Sequence, residues 1–293
     1  MLADVASILY QFGTNASFLL LSALGLIVIL GMMNLINLAH GEFMMLGAYA
    51  ATFVVHLGVP FPLAVIAAFF ATGLFGIVLE RLVIRRFYGR ELGALVTTWG
   101  ISLILAQGAL LLFGPYMPPI PIPKGVVAVG VYTFSVYWLE LIAISLLLVA
   151  ALAVVYRATS FGLQARATMQ NPAIARSLGI RVDRIYMLTF GLGAGLAGLS
   201  GALLAPTTSI APYMGQQFVA PAFITVVVGG GANVIAGALG SSGFLSLIET
   251  PVSIALGTFY GTMALLVAAL LIIRVLPEGI SSIGARLRPT VAR

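Results

Sequence analysis

Two ionisable side chains stand two positions apart in the run Asn34-Leu-Ile-Asn37-Leu-Ala-His40-Gly41-Glu42, which interrupts an otherwise apolar stretch. At membrane depth such groups cost several kcal/mol unless paired or hydrated, and they mark solute pathways. The same residues also suit a cytoplasmic turn, with Glu42 in the first turn of the next helix favouring its dipole. Spacing alone leaves both readings open. A second interruption, Gly229-Gly230-Gly231-Ala-Asn233, leads into the small-residue segment Val234–Ser242. Paired breaks of this kind, one in each half, point to a transport site between structural repeats, because broken helix ends expose backbone N–H and C=O groups. The expected pathway residues are therefore Asn34, Asn37, His40, Glu42 and Asn233. Glu249, just before Thr250-Pro251, fits a helix end, and Glu140, beside Tyr137 and Trp138, fits an interfacial girdle.

A third group of residues suits docking. In Asn171-Pro172-Ala173-Ile174-Ala175-Arg176-Ser177-Leu178-Gly179, Asn is a good N-cap, Pro fits the first turn and Gly fits C′. The pattern predicts a helix of about two turns with Ile174 and Leu178 on one face. A loop needs no such helix to reconnect two spans. With Arg176 beside its apolar face, the segment looks built to dock into another protein.

Several chemistries are excluded. The chain has no cysteine, so thiolate nucleophiles, disulfides and iron–sulfur sites are absent, and two histidines leave little for a metal centre. Its single lysine, Lys124, is not in a GxxxxGK[ST] phosphate loop, so the chain cannot bind ATP that way. Gly198-Leu199-Ser200-Gly201 matches the nucleophile motif of intramembrane serine proteases of the rhomboid type. Those need a histidine on a later span, and none follows Ser200. Gly191, Gly193, Gly195, Gly198 and Gly201 are better read as a close-packing face. No enzymatic role is expected.

The elements that position these residues follow from composition. Of 293 residues, 61% are hydrophobic and 8% charged, with a mean hydropathy of +1.14. A soluble domain carries about 25% charged residues, so this is an integral membrane protein. The net charge of +6 then reflects the positive-inside rule rather than nucleic-acid binding. Spans of about 20 apolar residues are predicted at Ser17–Met33, Pro62–Val83, Leu92–Phe113, Tyr137–Tyr156, Ile185–Ala205 and Ser253–Ile273. Shorter apolar pieces are Phe43–Leu57, Phe218–Gly230 and Ala232–Glu249. The fold class is all-α: a polytopic helical bundle of about 8–9 spans, some short or broken, in two pseudo-repeated halves forming one domain over residues 1–293. Arginines cluster at 81–90, 157–184 and 274–293, and Lys124 lies alone in the Pro-rich loop Gly114–Val136. The three arginine regions, including the C-terminus and a coupling loop at 157–184, are expected on the cytoplasmic side.

These pieces together resemble the permease subunits of branched-chain amino-acid ABC importers, a family that includes urea and short-chain amide systems. The resemblance rests on Gly31–Glu42 with Met45-Leu-Gly47-Ala-Tyr49, Asn171–Ile180 with Asp183-Arg184, Val226–Gly230, and Pro277-Glu278-Gly279. It departs at Gly231-Ala-Asn233 and at the tail, where Arg-Pro-x-Gly is common. It implies a non-catalytic subunit of a bacterial inner-membrane importer forming half of the translocation pathway. The implied partners are a second related permease, two ATP-binding-cassette ATPases that would carry ATP and Mg, and an extracytoplasmic solute-binding protein. The chain itself would need no cofactor and contact membrane lipid but no nucleic acid. Asn171, Pro172, Ile174, Arg176, Leu178 and Gly179 would form the ATPase-coupling helix. Thr97-Thr98-Trp99-Gly100-Ile101-Ser102-Leu103 resembles the urea and amide branch, and no basic residue inside a span awaits an amino-acid carboxylate. Urea or a short amide is therefore the favoured solute, with a branched-chain or hydrophobic amino acid as the alternative. A passive channel or secondary transporter would share the broken helices but not require the Asn171–Gly179 helix.

Overall fold

A computed structural model of the protein describes residues 2–33, 35–130, 132–230 and 233–282. Asn34, Gly231, Ala232, Arg286, Arg288 and Arg293 lie outside the described residues.

The helices are α1 (Leu2–Met33), α2 (His40–His56), α3 (Phe61–Leu82), α4 (Glu91–Phe113), α5 (Val136–Ala158), α6 (Ser160–Gln170), α7 (Pro172–Ser177), α8 (Val182–Leu204), α9 (Gln216–Gly229), α10 (Val234–Leu256) and α11 (Thr258–Val275). Among the described residues seven of these are long and apolar enough to cross a membrane, and α9 is apolar but shorter. This is a polytopic, nearly all-α membrane protein. Its one sheet among the described residues is an antiparallel hairpin, β1 (Val126–Val129) with β2 (Tyr132–Ser135), in which Val126 faces Ser135. The Pro-rich loop gave no sign of it.

Three boundaries differ from the sequence expectation, the first being that α1 begins at Leu2 rather than Ser17. The predicted span Ser253–Ile273 is divided between α10 and α11 by Gly257, whose φ of 98° ends one helix and starts the next. An unbroken apolar run hides that corner, which only glycine adopts without strain. Correspondingly, α10 runs through Pro251, and Glu249 lies within the helix rather than at its end.

The chain forms two compact units. One, the α8 unit, comprises Leu24–Ile122 and Ala150–Ala220. In it α8 packs most extensively against α3 and α2. Its glycines let backbones touch: a Cβ at Gly198 would run into the Thr72 side chain, and one at Gly201 into the Met44 backbone. A Cβ at Gly195 would lie 3.0 Å from the Phe69 ring, and one at Gly193 2.8 Å from the Gly25 carbonyl. Gly198-Leu-Ser200-Gly201 is thus a helix-packing face, with Ser200 fully buried.

The α10 unit comprises Met1–Ala23, Pro123–Val149 and Pro221–Arg293. Leu19, Val228, Leu245, Leu265, Ala268 and Ala269 form its buried cluster. Asn15 donates to the Thr250 hydroxyl at 3.1 Å, satisfying two polar groups between apolar helices. Glu140 pairs with Lys124 in an exposed contact.

Candidate functional site

The first break is built entirely within the α8 unit. Helix α1 stops at Met33, and non-helical backbone then leads to α2 at His40. Asn37 keeps the following stretch out of a helix, its side chain taking a backbone donor. Its Oδ1 accepts from the Ala39 N–H at 3.1 Å, and its own carbonyl accepts from the His40 N–H at 3.3 Å. The Ala39 carbonyl then receives the Glu42 and Phe43 N–H groups, which starts the helix. From α4, the Thr98 hydroxyl accepts the Leu38 N–H at 3.2 Å. The Ser102 side chain, one helical turn further along α4, stands beside Glu42. Gly41 lies against the Gly215 backbone, and a Cβ there would also sit 2.7 Å from a Val219 methyl.

Asn37 and His40 are 0% exposed and Glu42 1%. Glu42 does occupy the first turn of α2, yet it is buried rather than in a solvated turn. Among the described residues the Asn37 Nδ2 and Glu42 Oε2 atoms lack a hydrogen-bond partner. A donor and an acceptor left over in an apolar interior are costly for stability and available to a polar guest. Among the described residues no group of acids and histidines could hold a metal.

The second break has another construction. The Asn233 side chain accepts from the Ala236 N–H at 3.2 Å and caps α10, remaining half-exposed. Around it, backbones meet: a Cβ at Gly229 would lie 2.7 Å from the Gly237 carbonyl carbon. Gly230 (φ 79°) touches Glu278 and Gly279 (φ 77°), and the Ile280 N–H donates to the Val228 carbonyl at 2.8 Å. Two sequence signatures, Val226–Gly230 and Pro277–Gly279, are thereby one structural feature.

The third group folds as the spacing predicted. Asn171 Oδ1 accepts from the Ala173 and Ile174 N–H groups at 3.0 and 3.1 Å, and Pro172 opens α7. Gly179, with φ 83°, closes it. Ile174 and Leu178 are 57% and 74% exposed, an unusual disposition for apolar residues on a short, doubly capped helix. Arg176 pairs with Asp183 at 3.6 Å, an exposed contact contributing little by itself. Ahead of α7, α6 was missed, because its sequence has no apolar run. Thr159 caps it by accepting from the Gly162 N–H at 3.1 Å.

One charged cluster escaped the sequence reading. Glu80, at the end of α3, is fully buried, pairs with Arg85 at 3.4 Å and accepts from the Tyr88 hydroxyl. Burial, and then that bond to Glu80, hold the Tyr88 phenol well above its usual range, so it remains a donor. The only hint in the sequence was an acid beside Arg81, Arg85 and Arg86.

Comparison with known proteins sharpens these observations. The family model described as branched-chain amino acid transport system / permease component matches residues 8–276. The high-affinity branched-chain amino acid transport system permease protein LivH of Escherichia coli strain K12 is 28% identical over 284 positions, covering 91% of this chain and 92% of LivH. BraD of Pseudomonas aeruginosa, of the same description, is 28% identical over 244 positions, covering 78% of this chain and 80% of BraD. A probable LivH of Methanocaldococcus jannaschii is 27% identical over 260 positions, covering 84% of this chain and 81% of that protein. No solved structure matches the chain. The preference for urea or an amide finds no support in these relatives. Of the residues on which it leaned, Thr98 accepts from the Leu38 N–H and Ser102 stands beside Glu42. The missing intramembrane cation argued weakly too, since helix N-termini also receive carboxylates. With a family match spanning nearly its whole length, the chain belongs to the permease components of branched-chain amino acid ABC transport systems.

Proposed function

We propose that this permease carries a branched-chain or other hydrophobic amino acid across a bacterial inner membrane, as half of the translocation pathway of an ATP-driven importer. The observation that carries the reading is the buried Asn37–His40–Glu42 group at a helix break, with a spare donor and a spare acceptor. A solute with an ammonium and a carboxylate needs both kinds of partner, and a pore that must release it needs few of them. Asn34 extends the same polar run. Asn233 borders the route at the second break, where its carboxamide holds the start of α10. Partners are a second related permease, two ATPases and an extracytoplasmic solute-binding protein. The arginine-bearing ends and the C-terminus face the cytoplasm.

Energy coupling is assigned to α7, whose exposed Ile174 and Leu178 would enter a groove on an ATPase. Burying such side chains contributes about 1.5–3 kcal/mol each. The test is uptake into proteoliposomes holding the full importer and its binding protein. Labelled leucine, isoleucine or valine should accumulate with ATP, and urea should not. Accumulation of urea without leucine would overturn the substrate. Replacing Ile174 and Leu178 with Ser should abolish uptake while ATP hydrolysis and the binding protein's affinity persist. Normal uptake in that variant would make α7 an ordinary loop.

A further inference from the structure

Beside α7 lies a cavity of about 510 Å³ within the α8 unit. Arg81 from the last turn of α3, Arg85 just beyond it, Arg176 from α7, and Arg181, Asp183 and Arg184 at the start of α8 line it. Five arginines and a single aspartate thus border one opening. Part of that charge is already matched: Arg176 pairs with Asp183 and Arg85 with the buried Glu80. Arg81, Arg181 and Arg184 have no ion pair among the described residues, and all three are exposed. The first turn of α8, a helix of 23 residues, opens into the same space, so its dipole adds to the positive field. An assembled like-charge group of this kind is unfavourable until an anion enters it.

Position and surroundings identify the anion. Helices α3 and α8 are both membrane-spanning candidates, and the cavity lies where α3 ends and α8 begins; helices that just span the hydrocarbon end at the headgroup region. On α3, Leu74 and Val78 lie seven and three residues before Arg81, hence on its face, and are 64% and 46% exposed. On α8, Leu188 follows Arg184 by four residues and is also exposed. Arginine above an exposed apolar stripe matches a molecule with an anionic head and hydrocarbon tail. An acidic protein segment would use the arginines but not the stripe.

We propose that this cavity binds the phosphate of an anionic phospholipid, with Arg81, Arg181 and Arg184 as its principal ligands and the tails lying along the Leu74–Val78 face. Guanidinium groups suit phosphate because they donate bidentate, charge-assisted hydrogen bonds. Basic pockets between membrane helices recognise such head groups by the same chemistry.

The experiment uses the full importer complex, exchanged into phosphatidylcholine nanodiscs doped with phosphatidylglycerol, and counts retained phosphatidylglycerol by native mass spectrometry. The wild type should retain it, and the R81Q/R184Q variant should retain about tenfold less, equivalent to about 1.4 kcal/mol. The R81K/R184K variant, which keeps the charge, should fall between the two. Equal retention in all three overturns the proposal, as does a Lys variant that loses lipid as completely as the Gln variant. Displacement of phosphatidylglycerol by millimolar inorganic phosphate would make the cavity a free-phosphate site instead. Loss of the ATPases from R81Q/R184Q with lipid retention unchanged would assign the arginines to a protein partner and also overturn it.

Discussion

Between α1 and α2 the chain leaves helical geometry and buries side chains; between α9 and α10 it leaves helical geometry and brings backbones together. In the first break Asn37, His40 and Glu42 are at most 1% exposed, with Thr98 of α4 accepting from the Leu38 N–H and Ser102 beside Glu42. In the second, Gly229 meets Gly237 and Gly230 meets Gly279, while the one polar side chain, Asn233, caps a helix from a half-exposed position. The same letters, Asn and Gly around an interruption, serve two physical ends. One break concentrates hydrogen-bonding capacity in an apolar interior; the other fixes the approach of α10 to the segment after α11. Substitutions at the two sites should therefore fail in different ways.

The largest effect is expected from volume at the second break. Gly230→Val places a β-branched residue at φ 79° and drives its Cβ into Glu278 and Gly279. A left-handed conformation costs roughly 1–2 kcal/mol and overpacking another 1–3. Folded protein recovered from the membrane should drop sharply, with a lower Tm in detergent for what remains. A Gly230→Val protein with normal yield and Tm would show that this break is not a packing joint.

At the first break function should be lost with little loss of fold. Glu42→Gln keeps the shape and the α2 start, and removes the charge. Because a buried carboxylate is expensive, Tm should stay level or rise. Uptake should fall by about tenfold or more, the measure of roughly 1.4 kcal/mol of lost transition-state stabilisation. His40→Ala is expected to follow it. Unchanged uptake in both variants would reduce the first break to a structural feature and erase the contrast with the second.

How far the sequence anticipates this depends on the range of the interactions. The α7 caps involve neighbours within three residues of Asn171, so they are legible from the residues alone. The long apolar helices are legible because length and composition suffice. The corner at Gly257 is not, since an apolar run crosses it without any change of character. Nor is the state of Glu42: it is buried in the packed interior, beside Ser102, which lies 60 positions away on another helix. Glu80 is similar, its burial arising from the packing around α3 rather than from its neighbours in sequence. Likewise the two breaks look equivalent in sequence because glycine contacts are made by backbones, whose partners the letters do not reveal.

The smallest effect is expected at Asn233, and it tests that equivalence most directly. If Asn233 acts through its bond to the Ala236 N–H, Ser should replace it almost without cost, because both are good N-caps. Asn233→Ala removes the acceptor and should cost about 1 kcal/mol, a fall of about 2–4 °C in Tm for a chain of this size. Uptake should remain close to wild type in Asn233→Ser and change in Asn233→Ala only as far as stability does. A contrary result has a distinct signature: Asn233→Ser with normal Tm but uptake reduced as far as in Glu42→Gln. Such an outcome would mean that the carboxamide itself, with its N–H donors, meets the solute. The second break would then match the first in function despite its different construction.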